Sequence, residues 1–254
     1  MRDFVVYGVG ELGKLLATAA LRRGMRVTPI TRAHEPARVL GQIAPDTPLL
    51  VSVGEHDLET ALSALPASHR GSVILLQNEL FPSSWERHGL APSVLVPWVL
   101  QKRGLPTQEA RPSPVCGPQR ALLIELLDAL SLSHQVLQDD AELAQALVDK
   151  YVFIVSINAL GVAKDRTLGG WLDHGHAQVW DVFEDVSRLA ERLVGRPIDR
   201  QQAHEAAAEG MRALAGVPAR GRTAAERLER ALQQATGLGL SLPQLERIAA
   251  AARA

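Results

Sequence analysis

A glycine-rich turn between a predicted strand and a predicted helix constrains this sequence more than any other feature. The glycines have the spacing G-x-G-x-x-G in the segment Tyr7-Gly8-Val9-Gly10-Glu11-Leu12-Gly13. In such a turn the first glycine permits a tight bend, the second lets phosphate oxygens approach the backbone, and the third lets the helix pack against the strand. Amides at the start of the helix then face a negatively charged group. The loop from Gly8 to Gly13 therefore predicts a site for the pyrophosphate of a dinucleotide, and the alternative is a glycine turn without a ligand.

The rest of the first half alternates short apolar runs with helical patterns. Strands are predicted at 4–7, 25–30, 49–53, 72–77, 94–99 and 134–137, with helices at 12–23, 58–65 and 119–130. From position 140 only helical patterns follow, at 141–160, 177–194, 200–214, 224–236 and after Pro243. This order predicts an α/β protein with a Rossmann-type parallel sheet over 1–139 and an all-α domain over 140–254. The Pro- and Gly-rich segment 102–118 is interpreted as an extended crossing to the last strand.

The composition limits the classes of molecule that this protein is expected to bind. Lys and Arg total 27 against 28 Asp and Glu, for a formal net charge of −1, so no global field attracts nucleic acid or an anionic membrane. Prolines and charges interrupt the apolar runs, so we expect no membrane span and no targeting signal. The single Cys116 excludes an internal disulfide framework and suits the cytoplasm. We therefore expect a cytoplasmic protein with a small-molecule partner.

The end of the second predicted strand bears on which dinucleotide binds. An acidic residue there would accept hydrogen bonds from the adenosine ribose, whereas this strand ends in Thr31 and Arg32. Arg32 can form a bidentate pair with a 2'-phosphate, assisted by Thr31 and Arg38. The tip therefore predicts NADP as the cofactor, and the alternative is a solvated surface arginine.

A lysine interrupts the apolar helix that opens the second domain. Lys150, Ile154 and Asn158 fall on one face at successive turns, so Lys150 and Asn158 can point at the same cleft. A lysine beside a cofactor can donate a proton to the alkoxide that forms when a carbonyl is reduced. The alternative is a lysine that covers the helix with its methylenes and carries its amine to water.

Other polar residues give weaker signals. Asp173, His174 and His176 lack a convincing third ligand, so we expect no metal site and interpret them as a polar loop between helices. Trp98 lies at the end of the fifth predicted strand, and Gln101 and Lys102 follow it. All three would lie near the ligand-binding edge of the sheet, although Trp98 can equally belong to the core.

Together the glycine loop, Arg32, Gln77-Asn78 after a strand, and Lys150 with Asn158 resemble the ketopantoate reductase (2-dehydropantoate 2-reductase) family. The resemblance spans most of the chain and implies a Rossmann domain that binds NADPH and a helical domain that closes the cleft. It further implies that Lys150 is the general acid and that Asn158 and Asn78 orient the carbonyl. A homodimer formed through the helical domain is a candidate assembly.

The chain also departs from that family's pattern on the substrate side. Ile154 stands where the family has a first asparagine, Glu79 replaces a glycine after Asn78, and Gly54 stands in a stretch where a lysine is usual. The family's Thr-Glu step is displaced or lost near Glu226, and neither Glu226 nor Glu229 is a firm replacement. The sequence therefore predicts an NADPH-dependent reductase of a small carbonyl or 2-oxo acid with an altered substrate site. The alternative hypothesis is an NADP-binding sensor or scaffold without catalysis.

Overall fold

The computed structural model describes residues 1–101 and 106–253. By its internal contacts the chain divides into two compact units, Met1–Leu143 and Ala144–Ala254. The sequence pattern puts the boundary between Asp139 and Asp140, where a long helix begins, and the first turn of that helix belongs to the first unit.

The first unit contains a sheet with helices between its strands. In chain order its elements are β1 (Asp3–Tyr7), α1 (Glu11–Arg22), β2 (Arg26–Ile30), α2 (Pro36–Leu40), β3 (Leu49–Val51), α3 (Leu58–Ser63), β4 (Val73–Leu75), α4 (Ser83–Glu86), β5 (Ser93–Leu95), β6 (Val99–Leu100), β7 (Gln108–Glu109), β8 (Ser113–Cys116), α5 (Arg120–Asp128) and β9 (His134–Val136). Two 3₁₀ turns, Glu55–Asp57 and Ala67–Ser72, precede α3 and β4. The predicted α/β alternation is confirmed.

The strands form a seven-stranded sheet in the order β2-β1-β3-β4-β5-β8-β9. The five neighbouring strands β2, β1, β3, β4 and β5 are parallel. β8 is antiparallel to β5, and β9 is parallel to β8. From β1 the chain moves outward to β2 and then crosses to β3 on the other side of β1. The carboxyl ends of β1 and β3 therefore form the topological switch point, where ligands bind in open α/β sheets.

Both faces of the central strands are covered. All residues of β3 and β4 are buried, which explains why these strands read as uninterrupted apolar runs and not as alternating ones. On one face Phe4 and Val6 of β1 pack in a core with Leu16 of α1 and Leu123 of α5. This packing holds the amino end of α1 above the carboxyl end of β1.

The structure corrects two predictions around the fifth strand. The predicted strand 94–99 is broken at Pro97, so that β5 ends at Leu95 and β6 pairs with β7 in a separate two-stranded sheet. The segment 102–118, interpreted as a crossing, contains β7 and β8. Pro114 has no amide to donate, but its carbonyl accepts the amide of Val96 at 2.8 Å. Because of Pro114, β8 was difficult to recognise as a strand from the sequence.

The described part of the second unit is helical. Its helices are α6 (Asp140–Ala163), whose first turn lies in the first unit, α7 (Leu168–His174), α8 (His176–Val194), α9 (Arg200–Ala213), α10 (Ala224–Gly237) and α11 (Pro243–Arg253). Helix α7 was not predicted, and the interpretation of Asp173, His174 and His176 as a loop is wrong. Asp173 and His174 end α7, and His176 begins α8 directly after Gly175.

Helix α6 is apolar around its whole circumference. By length and composition this one helix, among the residues described, could cross a membrane, contrary to the expectation that no apolar run is long enough. However, 83% of its most apolar stretch is buried inside the protein, and core helices of water-soluble proteins have the same property. The helix is therefore weak evidence for a membrane span.

Two polar side chains of α6 form hydrogen bonds with neighbouring helices. The buried Asp149 accepts hydrogen bonds from Gln145 at 2.8 Å and from Gln202 of α9 at 2.9 Å. Tyr151 donates its hydroxyl to Gln234 of α10 at 3.0 Å. These directional bonds add to close packing in specifying which face α6 presents to each neighbour.

The amino end of α11 is capped by a side chain from a distant helix. Asp185 of α8, which is buried, accepts the amides of Gln244 at 2.7 Å and Leu245 at 3.2 Å. Burial raises the pKa of Asp185, and the two amide donors partly offset that rise. The carboxylate thus satisfies orphan donors of α11 and ties it to α8.

Replacing this cap should destabilise the second unit. Asp185→Ala leaves the half-buried amide of Gln244 and the buried amide of Leu245 without an acceptor, so we expect the free energy of unfolding to fall by about 1–3 kcal/mol. Asp181→Ala is the matched control, because Asp181 lies on the same helix but contacts only the side chain of Gln244, at 3.4 Å. Urea denaturation of both variants measures the difference, and equal losses would contradict a capping role for Asp185.

Candidate functional site

The glycine loop joins β1, α1 and β3 at one point. Gly8 has φ +95°, and a Cβ there would lie 2.8 Å from backbone atoms of Ser52 and Val53, which follow β3. At Gly13 a Cβ would overlap the carbonyl oxygen of Gly8. The hydroxyl of Ser52 donates to that same carbonyl. Neither glycine can therefore accept a side chain without moving backbone.

Gly10 is different, because a Cβ there would meet nothing within 4 Å. It caps α1 without help from a side chain, and its carbonyl accepts the first intrahelical bond, from Lys14, at 2.9 Å. The amides that begin α1 have no partner within the helix, and the backbone in front of them is open. This open position between two crowded glycines suits the pyrophosphate of a dinucleotide, with Val9, Glu11 and Leu12 completing the loop.

The tip of β2 carries the residues predicted to select the cofactor. The amide of Thr31 donates to Nδ1 of His34 at 3.1 Å, so the turn after β2 is closed locally. The side chain of Arg32 is 92% exposed and forms an ion pair with Asp57 at 3.3 Å. Arg38, the predicted assistant, is also exposed. Arg32 is thus accessible to a ligand but already has a carboxylate beside it.

The ends of β3 and β4 are joined by Gln77. Its buried amide donates to the carbonyl of Val51 at 2.8 Å, which holds the two carboxyl ends together. The next residue, Asn78, is half-buried, and its Nδ2 donates to Glu55 at 3.4 Å. Asn78 is therefore held at the same edge of the sheet as the glycine loop.

The stretch after β3 has no lysine, and a histidine covers part of that space. A Cβ on Gly54 would lie 3.1 Å from Cε1 of His56, so the imidazole folds back over this glycine. A side chain at Gly54 would require the exposed imidazole to shift slightly.

In the second unit Lys150 is embedded in α6. It is 4% exposed, and its Nζ lies 5.2 Å from the centre of the Phe153 ring, a cation–π distance. One turn further along, Ile154 is only half-buried, whereas its neighbours in α6 are buried. Ile154 is thus the least covered residue near Lys150, although Lys150 itself is buried.

Asn158 contacts its own backbone and the segment before α10. It is 2% exposed, and its Nδ2 donates to the carbonyl of Ile154 at 2.7 Å. Its Oδ1 is buried without a hydrogen-bond partner, and a Cβ on Gly221 would lie 2.6 Å from that oxygen. The side chain is therefore oriented with one of its two amide hydrogens bonded to Ile154, and its oxygen has no hydrogen-bond partner.

The remaining candidates are less favourable. Trp98 is 2% exposed and belongs to the core, with Arg111 stacked on its ring; Lys102 lies outside the described residues. Glu226 and Glu229 are both exposed.

Within the described ranges no group of three His, Cys, Asp or Glu converges as a metal site. Burial raises the pKa of the Cys116 thiol, which makes it a poor nucleophile at neutral pH.

Sequence reasoning missed Ser52, Asp57 and Gly221 as parts of these clusters. Each acts through a residue distant in sequence: Ser52 through Gly8, Asp57 through Arg32, and Gly221 through Asn158. The G-E-H-D stretch that contains Asp57 is visible in the sequence, but nothing in it indicates a partner on β2.

Comparisons with known proteins show which solved structures share this architecture. No protein-family model and no curated protein sequence matches the chain. Among solved structures it is similar to a PanE/ApbA family ketopantoate reductase from Ralstonia eutropha JMP134, at 17% identity and a TM-score of 0.64, over 100% of this chain and 97% of that one. The chain has the ketopantoate reductase fold. The predicted resemblance is thereby confirmed at the level of the fold.

Two further structures show the range of proteins with this fold. A ketopantoate reductase from Staphylococcus aureus, described as dimeric, is 17% identical with a TM-score of 0.61, over 99% of this chain and 97% of that one. A D-mandelate dehydrogenase with NADH and anilino(oxo)acetate is 12% identical with a TM-score of 0.64, over 100% of this chain and 97% of that one. The structures similar to this chain thus also include that of a dehydrogenase with NADH.

The glycine loop provides a matched pair of variants. Gly10→Ala should leave stability unchanged, because its Cβ meets open space, but should weaken dinucleotide binding by at least about tenfold, because the methyl group occupies the phosphate position. Gly13→Ala should lower the free energy of unfolding by about 1–3 kcal/mol, because its Cβ overlaps the Gly8 carbonyl. Thermal denaturation and cofactor titration of both variants test this. Unchanged binding by a stable Gly10→Ala protein would rule out the loop as the phosphate site.

Proposed function

We propose that this protein is an NADPH-dependent reductase of a small carbonyl compound, most simply a 2-oxo acid. The observation that carries the proposal is the glycine loop, in which an open backbone position at Gly10 lies between two glycines that cannot accept a Cβ. Its location at the switch point of a parallel sheet is where dinucleotides bind in such folds. The similar solved structures, which include ketopantoate reductases and a dehydrogenase with NADH, support the same class of reaction.

The residues present fit a nicotinamide dinucleotide. In this proposal the amides of the loop from Gly8 to Gly13 hold the pyrophosphate, and Arg32 with Thr31 receives the adenosine end. Asn78 lies at the nicotinamide end. The bound cofactor supplies a hydride to the carbonyl carbon of the substrate.

Lys150 is proposed to supply the proton. A carbonyl that accepts a hydride develops negative charge on oxygen, and an ammonium group stabilises that charge and then donates its proton to form the hydroxyl. The scarcity of water around a lysine that is 4% exposed strengthens this electrostatic effect. Asn158 and Asn78 are proposed to orient the carbonyl.

The side chains proposed to face the substrate suit an apolar substrate better than a hydroxylated one. Ile154 is half-buried and offers only methyl groups between Lys150 and Asn158. The exposed Glu226 and Glu229 offer no buried acceptor for a substrate hydroxyl. We therefore infer a 2-oxo acid with an alkyl or aryl side chain.

The setting proposed for this activity is the cytoplasm, with the protein as a homodimer. The neutral charge balance and the single cysteine support the first inference, and the dimeric Staphylococcus aureus reductase with the same fold supports the second.

The test is NADPH oxidation with a panel of 2-oxo acids that carry alkyl, aryl and hydroxylated side chains. We expect turnover with the first two groups. Lys150→Met keeps the apolar stem but removes the ammonium group, and it should lower kcat by about 10²- to 10⁴-fold. Lys164→Met is the matched control, because Lys164 is an exposed lysine immediately after the same helix.

Two results would contradict the proposal. Absence of NADPH oxidation by the wild-type protein across the panel would reject the reductase and, if NADPH still bound, would favour a cofactor-binding sensor or scaffold. Equal rates for Lys150→Met and the wild type would reject Lys150 as the proton donor. Circular dichroism of each variant excludes loss of the fold as the cause.

A further inference from the structure

A cluster of opposite charges surrounds Arg32 at the predicted cofactor site, and the proposed reaction assigns no role to its carboxylate, Asp57. Asp57 closes the 3₁₀ turn after β3, and its carboxylate is 3.3 Å from Arg32 and 3.4 Å from Nε2 of His56. One carboxylate is thus bracketed by a guanidinium from the end of β2 and an imidazole from its own turn.

The cluster belongs to the carboxyl edge of β1, β2 and β3. Tyr7, the last residue of β1, has its pKa raised by burial and by the negative charge of Asp57. Gly8 follows directly, so Asp57 lies near the start of the glycine loop as well as near Arg32. This is the part of a dinucleotide site that receives the adenosine ribose.

A structural role for the Asp57 side chain finds little support. The residue stands at the N-cap position of α3, where aspartate commonly accepts backbone amides, yet its carboxylate makes no capping hydrogen bond. The carboxylate is instead 43% exposed and directed at Arg32. Removing its charge should therefore leave α3 intact.

We propose that Asp57 tunes the choice between NADPH and NADH by competing with the 2'-phosphate of NADPH for Arg32. This inference rests on the proposed cofactor site. A 2'-phosphate must displace the carboxylate from the guanidinium and also approaches a like charge. A ribose with free hydroxyls meets neither obstacle, and the carboxylate can accept a hydrogen bond from those hydroxyls. Arg32 favours NADPH, and Asp57 reduces that preference.

The exposure of the two side chains sets the size of the effect. Arg32 is 92% exposed and Asp57 is 43% exposed, so water and salt screen their attraction. We therefore expect Asp57 to change the ratio of the two dissociation constants by about three- to tenfold, not by orders of magnitude. The effect should shrink as salt is raised.

Fluorescence titration of the full-length protein with NADPH and NADH tests the inference without requiring a substrate. Asp57→Asn preserves size and removes the charge, so NADPH should bind about three- to tenfold more tightly while NADH binds unchanged or more weakly. Arg32→Gln should weaken NADPH and leave NADH nearly unaffected.

The matched control is Glu59→Gln, which removes the same charge two residues further on. Glu59 is also exposed but is paired with Arg87 at 3.1 Å and with His88, not with Arg32. If Asp57→Asn and Glu59→Gln shift the ratio equally, or if Asp57→Asn leaves it unchanged while both cofactors bind, the specific role of Asp57 is wrong and the cofactor site stands. If neither cofactor binds the wild-type protein, the proposed function itself fails and the inference falls with it.

Discussion

The approach of α1 to the carbonyl oxygen of Gly8 is the contact on which the first unit depends. Gly13 has no side chain, so α1 can begin against the end of β1, and the Ser52 hydroxyl binds the same carbonyl from the end of β3. A helix and two strands, which are distant in sequence, therefore converge on one oxygen atom. The consequence is that the amides of α1 are presented at the switch point of the sheet.

Much of the fold was predictable because its signals are local. The glycine spacing, the β-rich apolar runs and the change to helical patterns after Asp139 each act within a few residues, and the structure follows them closely. The errors came where a local signal opposed the tertiary structure. Pro97 and Pro114 concealed a strand break and a strand, since a proline can still contribute its carbonyl to a sheet. The short helix α7 was missed because its polar end, with Asp173 and His174, resembles a loop.

In the candidate site, too, some residues could be recognised from the sequence and others only from the structure. Lys150 was identifiable because a charge within an apolar helix needs an explanation, and Arg32 because it follows a strand at a known distance from the glycine loop. The partners of these residues were not identifiable. The carboxylate beside Arg32 comes from the turn after β3, and the glycine beside Asn158 comes from the segment before α10. Contacts of this kind depend on which distant segments the fold brings together. No local pattern in the sequence indicates those pairings.

The burial of α6 on all sides has a consequence for how the chain is made. An amphipathic helix can fold against water on its polar face, but α6 has no such face, and the helices that supply its polar partners, α9 and α10, follow it in the sequence. During synthesis α6 leaves the ribosome with its apolar surface uncovered until those helices are complete. The burial of α6 therefore depends on helices that are synthesised later, and exposed apolar surface of this kind favours aggregation until they are complete.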